Sequence, residues 1–349
     1  MIKIQNIYYM LSYAFKELNK IDSKKFDDES FVNHADLCAE ILLNAVNRII
    51  KTGFKRDYKE VSEFMKSPRG KMELQETINR LSFLRPEIYC THDVFSENIF
   101  INRLLKSTLR YLLKQDIKDE RKHRITKVLR YFSLVDDINL KNIRWNLALS
   151  NAESKFRIVI FICKLVYKHS IMKYSDTNFN KKDKEFFTED ALHKIYEHFI
   201  LEFYRKEYKD SLQADALVID WCLDDDQSYL LPKMQSDVLL RSRKSKNTLI
   251  IDAKFYKRIL QNRYDKDSVR SNNLYQIFTY TKNYAIKFPE NNVSGMLLYA
   301  QTEEDVIPDD VCYSMSGNKI HVCTLDLNAD FSAIKERLHN VAALINNAD

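Results

Sequence analysis

Residues 230–256 read LLPKMQSDVLLRSRKSKNTLIIDAKFY, and their pattern decides the fold of the second half of the chain. The run Thr248–Phe255 is almost continuously apolar and branched, the composition of a central strand covered on both faces. Asp252 and Lys254 stand at its end, two residues apart, so an extended backbone directs both side chains to one face. The strand-like run Leu230–Leu240 before it carries Asp237. A hairpin turning symmetrically about Lys244–Ser245 sets Asp237 directly across from Asp252, with Cβ atoms roughly 5 Å apart. A slip of one residue would turn Asp237 to the opposite face.

Two carboxylates opposed in this way repel each other, and a divalent cation between them removes the conflict. Mg²⁺, with Mn²⁺ as a substitute, is the expected cofactor, because such ions take oxygen ligands. An ion held by Asp237 and Asp252 would polarise a phosphodiester and activate water, and Lys254 would orient that water or offset developing negative charge. The competing reading of Asp252 and Lys254 is a salt bridge at a strand end.

Working outward, the segment Glu189–Tyr208 reads as a helix with the apolar stripe Leu192, Ile195, Tyr196, Phe199 and Phe203. Glu197 lies beside the stripe, as a third metal ligand or a solvated flank residue. His193 and His198 are five apart, do not share a face as an HExxH pair would, and read as ordinary helix residues. Gln276 and Tyr280, four apart in an expected helix Ser271–Ile286, share a face. They would contact a phosphate, brace Lys254, or simply pack. Further strands are expected at Ala216–Leu223, Ser294–Ala300 and Lys319–Leu325, with a last helix at Phe331–Ile345. Helix, strands, helix, strands, helix makes a compact α/β domain.

The first half is mainly helical by the same criteria. An opening helix presents Ile7, Met10, Leu11 and Ala14 on one face, and helical patterns cover Phe31–Lys51, Ile101–Lys114 and Phe156–Ser170. The broken stretch Thr52–Pro86 has room for short strands. The polar stretch Ser175–Asp183 reads as a linker or long surface loop, which divides the chain into residues 1–174 and 175–349. The chain of 349 residues, 45% of them hydrophobic, is long enough for two such domains.

Composition excludes several classes. Only Gly53, Gly70, Gly295 and Gly317 are glycines, so no Gly-rich phosphate loop can be built. Six scattered cysteines form no CxxC pair for zinc and read as reduced thiols of a cytoplasmic protein. The apolar run Phe156–Val166 is too short to span a bilayer, and no membrane partner is implied. Between Ile101 and Trp145 there are 12 Lys/Arg against 5 Asp/Glu, either a phosphate-facing surface or a solvated helical one.

Several strings taken together resemble the McrC family, the cleavage subunits of McrBC-type modified-cytosine restriction systems. They are LLPKMQSD, LIIDAKFYK and NLYQIFTY in the second half, with IQNIYYMLSYAF at the start, SPRGKMELQETI (Ser67–Ile78) and NRLLKSTLRYLLK (Asn102–Lys114). The resemblance implies a PD-(D/E)xK, restriction-endonuclease-like domain after the helical one, although no literal Pro-Asp pair is present and Pro232 precedes Asp237 by five residues. It places the metal carboxylates at Asp237 and Asp252, the catalytic lysine at Lys254, a QxxxY element at Gln276 and Tyr280, and less securely a helix acid at Glu197. It also implies a McrB-like AAA+ GTPase partner, double-stranded DNA as substrate, and a dimer of nuclease domains across two motor complexes. The first domain would dock on the GTPase, with Arg69 in the SPRGK turn near the contact. The alternatives are a stand-alone RecB-like nuclease and a non-catalytic adaptor between DNA and the GTPase.

Overall fold

The computed structural model describes residues 2–15, 31–80, 86–140, 143, 145, 156–175, 187–225, 227–256, 259–263, 266–301, 308 and 310–346. Its contacts divide the chain into one unit of Met1–Phe31 with Phe187–Asp349 and another of Val32–Phe186. This corrects the expected boundary, because the opening helix α1 (Ile4–Ala14) belongs with the second half. Tyr9 stacks on Phe331 with ring centroids 4.2 Å apart, and Tyr13 packs against Phe199 and Phe203, both at 5.6 Å. Asn6 Nδ2 donates to the carbonyls of Leu327 and Ala329 at 2.8 and 2.9 Å.

The unit Val32–Phe186 combines helices with a small sheet. Helix α2 (His34–Thr52) is capped by Asn33, whose side chain accepts from the Asp36 amide at 3.0 Å. Strand β1 (Asp57–Met65), β2 (Lys71–Met72), helix α3 (Leu74–Asn79) and β3 (Ile88–Ser96) follow. They make an antiparallel sheet in the order β1-β3-β2, larger than the short strands expected before Pro86. Helices α4 (Phe100–Leu112), α5 (Asp119–Leu129) and α6 (Arg157–Ser175) complete the unit.

Part of the basic excess of this region is engaged within the fold. Arg121 is buried between Asp36 at 2.8 Å and Glu40 at 3.0 Å, and Arg124 forks onto Glu40 at 2.7 and 2.9 Å. Lys106 donates to the carbonyls of Phe132 and Val135, and Arg110 pairs with Asp137. Arg121 and Lys106 therefore serve buried acceptors and form no part of a phosphate-facing surface, whereas Arg110, Lys114, Lys127 and Arg130 are exposed. The stretch read as a linker lies outside the described residues from 176 to 186.

The other unit is built on a six-stranded sheet. Helix α7 (Glu189–Glu207) begins at Thr188, whose hydroxyl accepts from the Ala191 amide at 3.3 Å. The strands are β4 (Leu212–Asp215), β5 (Val218–Ile219), β6 (Met234–Gln235), β7 (Val238–Ser242) and β8 (Asn247–Phe255). After the short pair β9 (Gln261–Arg263) and β10 (Lys266–Ser268) come helix α8 (Ser271–Lys287), β11 (Asn292–Gln301), β12 (Val311–Met315), β13 (Asn318–Asp326) and helix α9 (Phe331–Asn346). The large sheet runs β12-β13-β11-β8-β7-β4, and β11 lies parallel to both β8 and β13.

Burial on both faces explains the unbroken apolar reading of β8, every residue of which is buried. Helix α8 covers one face: Ile277 and Tyr280 share a cluster with Leu239, Ile250 and Leu297. It sits close because Gly295 has no side chain; a Cβ there would lie 2.9 Å from Ile277 Cγ1 and overlap Thr281 Oγ1. Helices α7 and α9 cover the other face, joined by the bond from Tyr204 Oη to the Leu338 carbonyl at 3.0 Å. Among the described residues no helix is long and apolar enough to cross a membrane.

Candidate functional site

The hairpin β7–β8 has the register expected from its turn. Val238 pairs with Ile251, Leu239 with Ile250, Leu240 with Leu249 and Arg241 with Thr248, so the next position outward sets Asp237 against Asp252. The single strand expected over Leu230–Leu240 is interrupted instead. Ser236 leaves the ladder, its amide donating to the Leu217 carbonyl at 3.0 Å, and this break frees Asp237 from strand pairing. Asp237 Oδ2 then accepts from the Ala253 amide at 2.8 Å. Alternation from Ile250, which faces α8, puts Asp252 and Lys254 on that same face.

Asp252 is 1% exposed, and neither of its oxygens accepts a hydrogen bond of good geometry. Its nearest counter-charge is Lys254, whose Nζ lies 2.8 Å from Oδ2. Burial pushes Asp237 up to about 7, with further lifting by the charges of Asp252 and Glu197. Burial also raises Asp252, against the pull of Lys254. Burial opposes the charge on Lys254, but Asp252 and Asp237 outweigh it and raise its pKa. Two facing carboxylates thus share one ammonium in a place poor in water, a balance that a bound dication would complete.

Glu197 is close enough to act on both aspartates electrostatically, and it lines a cavity with His198, Gln235, Ser236 and Asp237. Its carboxylate, however, is engaged by His193, with Nε2 2.8 Å from Oε1. Among the described residues no three His, Cys, Asp or Glu side chains gather into a metal cage. Glu197 thus stands beside the aspartates, held by His193, rather than in a closed three-ligand cage. Mg²⁺ does not require one, since it is commonly held by one or two carboxylates with water and substrate phosphate.

Gln276 and Tyr280 share a face of α8, and Gln276 Nε2 donates to Tyr280 Oη at 2.8 Å. Among the described residues neither bonds to Lys254, so the pair does not brace it directly. Four further residues that the residue pattern alone did not single out form a linked group, which meets the lysine through Tyr299 and Tyr256. Tyr299 is its register partner on β11 and receives a bond from Asn273 Nδ2 at 2.9 Å. Tyr256 donates to Asn273 Oδ1 at 3.4 Å, and Arg270 stacks over the Tyr256 ring at 4.6 Å. Burial pushes the Tyr299 hydroxyl up to about 12.

His193 corrects the reading of an ordinary helix residue. Its Nδ1 accepts from the Phe255 amide at 3.3 Å while its Nε2 meets Glu197. The available signal was the four-residue spacing of His193 and Glu197, which puts them on one helical face. In the other unit, Arg69 is exposed, as expected.

Comparison with known proteins places this geometry in context. Residues 3–300 match the family described as McrBC 5-methylcytosine restriction system component. The chain is 28% identical over 351 residues to the type IV methyl-directed restriction enzyme EcoKMcrBC of Escherichia coli (strain K12), covering 97% of each. Its fold is similar, at a TM-score of 0.54 and 16% identity, to a chain in a half-complex of Thermococcus gammatolerans McrB AAA+ hexamers with bound McrC. That match covers 98% of this chain and 76% of the other.

Proposed function

The chain belongs to the McrBC 5-methylcytosine restriction system component family, and from that premise we propose that it is the DNA-cleaving subunit of a modification-dependent restriction complex. The observation that carries this reading is the buried pair Asp237 and Asp252 facing each other with Lys254 alongside. Their unit is read as a PD-(D/E)xK nuclease domain acting on double-stranded DNA in the cytoplasm. Asp237 and Asp252 hold Mg²⁺, which when bound supplies Lewis-acid polarisation of the scissile phosphate and acidifies water. Lys254 orients the attacking water and offsets negative charge as it develops on the phosphate. Gln276 and Tyr280 present their shared edge to the DNA backbone.

The unit Val32–Phe186 docks on a McrB-like AAA+ GTPase. What supports this is an exposed aromatic pair on its sheet: Tyr58 and Phe95, at 71% and 55% exposure, pair across β1 and β3 with ring centroids 5.1 Å apart. Arg69, on the connection from β1 to β2, offers a planar fork for carboxylate or phosphate.

The test is co-purification with the GTPase followed by Mg²⁺-dependent cleavage of methylated DNA. Asp252→Ala and Lys254→Ala should abolish cleavage and leave GTPase stimulation intact. Normal cleavage by Lys254→Ala would remove the proposed chemistry, and cleavage undiminished without the GTPase would favour a stand-alone nuclease.

A further inference from the structure

The imidazole of His193 is committed at both nitrogens. Nδ1 accepts from the Phe255 amide at 3.3 Å, so in the neutral ring it carries no proton. The proton is then on Nε2, which lies 2.8 Å from Glu197 Oε1. The bridge runs from the residue following Lys254, at the end of β8, to the carboxylate whose charge acts on both Asp237 and Asp252. His193 and Glu197 keep about a third of their side-chain surface exposed, at 31% and 29%, so solvent alone would leave Glu197 several rotamers. The hydrogen bond selects one of them.

Resting on the metal-nuclease reading above, we propose that His193 is a positioning residue: in its Nε2-protonated tautomer it ties Glu197 to the Phe255 amide and so fixes that carboxylate beside the Asp237–Asp252 pair, without itself being a metal ligand. The geometry favours this over direct ligation because neither ring nitrogen is left to face an ion. Partners of this kind hold a site's acidic groups in the orientation that metal binding needs, and their loss typically weakens metal affinity 10–100-fold.

The test uses the full chain with Mn²⁺ as the probe. Histidine ¹⁵N spectra of the metal-free protein at pH 8 should show a ring protonated on Nε2, assigned by its disappearance in His193→Gln. Calorimetric Mn²⁺ affinity should fall 10–100-fold in His193→Ala and stay near the parent value in His193→Gln, whose amide can still accept from Phe255 and donate to Glu197. Nitrogen coupling from His193 to bound Mn²⁺, seen by pulsed EPR, would overturn the proposal, as would unchanged affinity in His193→Ala or equal losses in both variants. Asp252→Asn separates the two levels of argument. If it abolishes Mn²⁺ binding while His193→Ala does not weaken it, only the role of His193 falls. If it binds Mn²⁺ as the parent does, the metal site itself falls and the positioning role with it.

Discussion

Asp237 carries its proton at a pH where most aspartates have lost theirs. Burial first, then the charges of Asp252 and Glu197, push it from the ordinary 3.8 to about 7. The folded pKa lies above the unfolded one, so between these two values the native state binds a proton that the unfolded chain has released. Stability from this site therefore declines as pH rises through that window. The metal-free chain should melt at progressively lower temperature from about pH 4 to 7, and Asp237→Asn should flatten that slope. Equal slopes in the two proteins would show that Asp237 does not titrate there. By the same linkage, metal binding at about pH 6 should release a proton, measurable by calorimetry in buffers of different ionisation enthalpy. Lys254 has a stability role beside its proposed chemistry. Lys254→Met leaves Asp252 buried without its counter-charge and should destabilise the metal-free chain by about 3–5 kcal/mol. The double variant with Asp252→Asn should recover most of that in urea titrations. Asp252 and Lys254 are legible in sequence because strand alternation determines their face, and Asp237 because the hairpin turn determines its register. Asn273 and Tyr299 are not, since their meeting depends on how α8 docks on β11.

At the scale of elements, long periodic segments announce themselves and short edge strands do not. The patterns for α7, α8, β8, β11 and α9 agree with the structure to within two residues at either end. Strand β12 was unforeseen because its side chains are mostly exposed and do not alternate. Its local signal is the Ser316–Gly317 pair, both at positive φ, the geometry of a two-residue hairpin turn. The interruption between β6 and β7 is equally hidden: Pro232, Lys233, Gln235, Ser236 and Asp237 weaken the strand reading of the run, but none of them marks Ser236 as the residue that leaves the ladder. The contact of α8 with β11 is the junction that brings Gln276 and Tyr280 to the sheet, and it depends on Gly295. Gly295→Ala should destabilise the chain by about 1–3 kcal/mol through overpacking. Thr281→Ala should reduce that loss, because it removes the hydroxyl that the new methyl meets. A double-mutant cycle reads the coupling directly. Strict additivity would mean that the helix does not approach where the structure puts it.

The whole molecule is discontinuous in sequence: the unit bearing the acid pair begins with α1, continues at Phe187, and has the other unit inserted between. A composition break at a polar stretch suggests one boundary, but no local pattern tells that an amphipathic opening helix will pair with a segment so far along the chain. The energetics of α1 argue that the pairing is required. Ile7, Tyr8, Met10, Leu11 and Tyr13 are nearly or fully buried, and each such side chain is worth roughly 1.5–3 kcal/mol on burial. Their sum is comparable with the whole stability of an ordinary domain, about 5–15 kcal/mol. Removing α1 would also uncover the aromatic face of Phe199, Phe203 and Phe331 that Tyr9 and Tyr13 cover. A fragment of residues 187–349 should therefore lack a cooperative thermal transition and aggregate. The same fragment with residues 1–15 restored, by fusion or as a peptide, should melt cooperatively and bind Mn²⁺. Near-ultraviolet circular dichroism during heating distinguishes the two. Cooperative melting of the bare fragment at the temperature of the full chain would show that α1 is dispensable. The consequence reaches the docking proposal, because a truncation starting after residue 175 removes α1 along with the docking unit and confounds misfolding with lost binding. Replacing residues 32–186 by a flexible linker separates them: the product should still bind Mn²⁺ and lose GTPase stimulation, and full stimulation would place the docking surface in the unit bearing the acid pair instead.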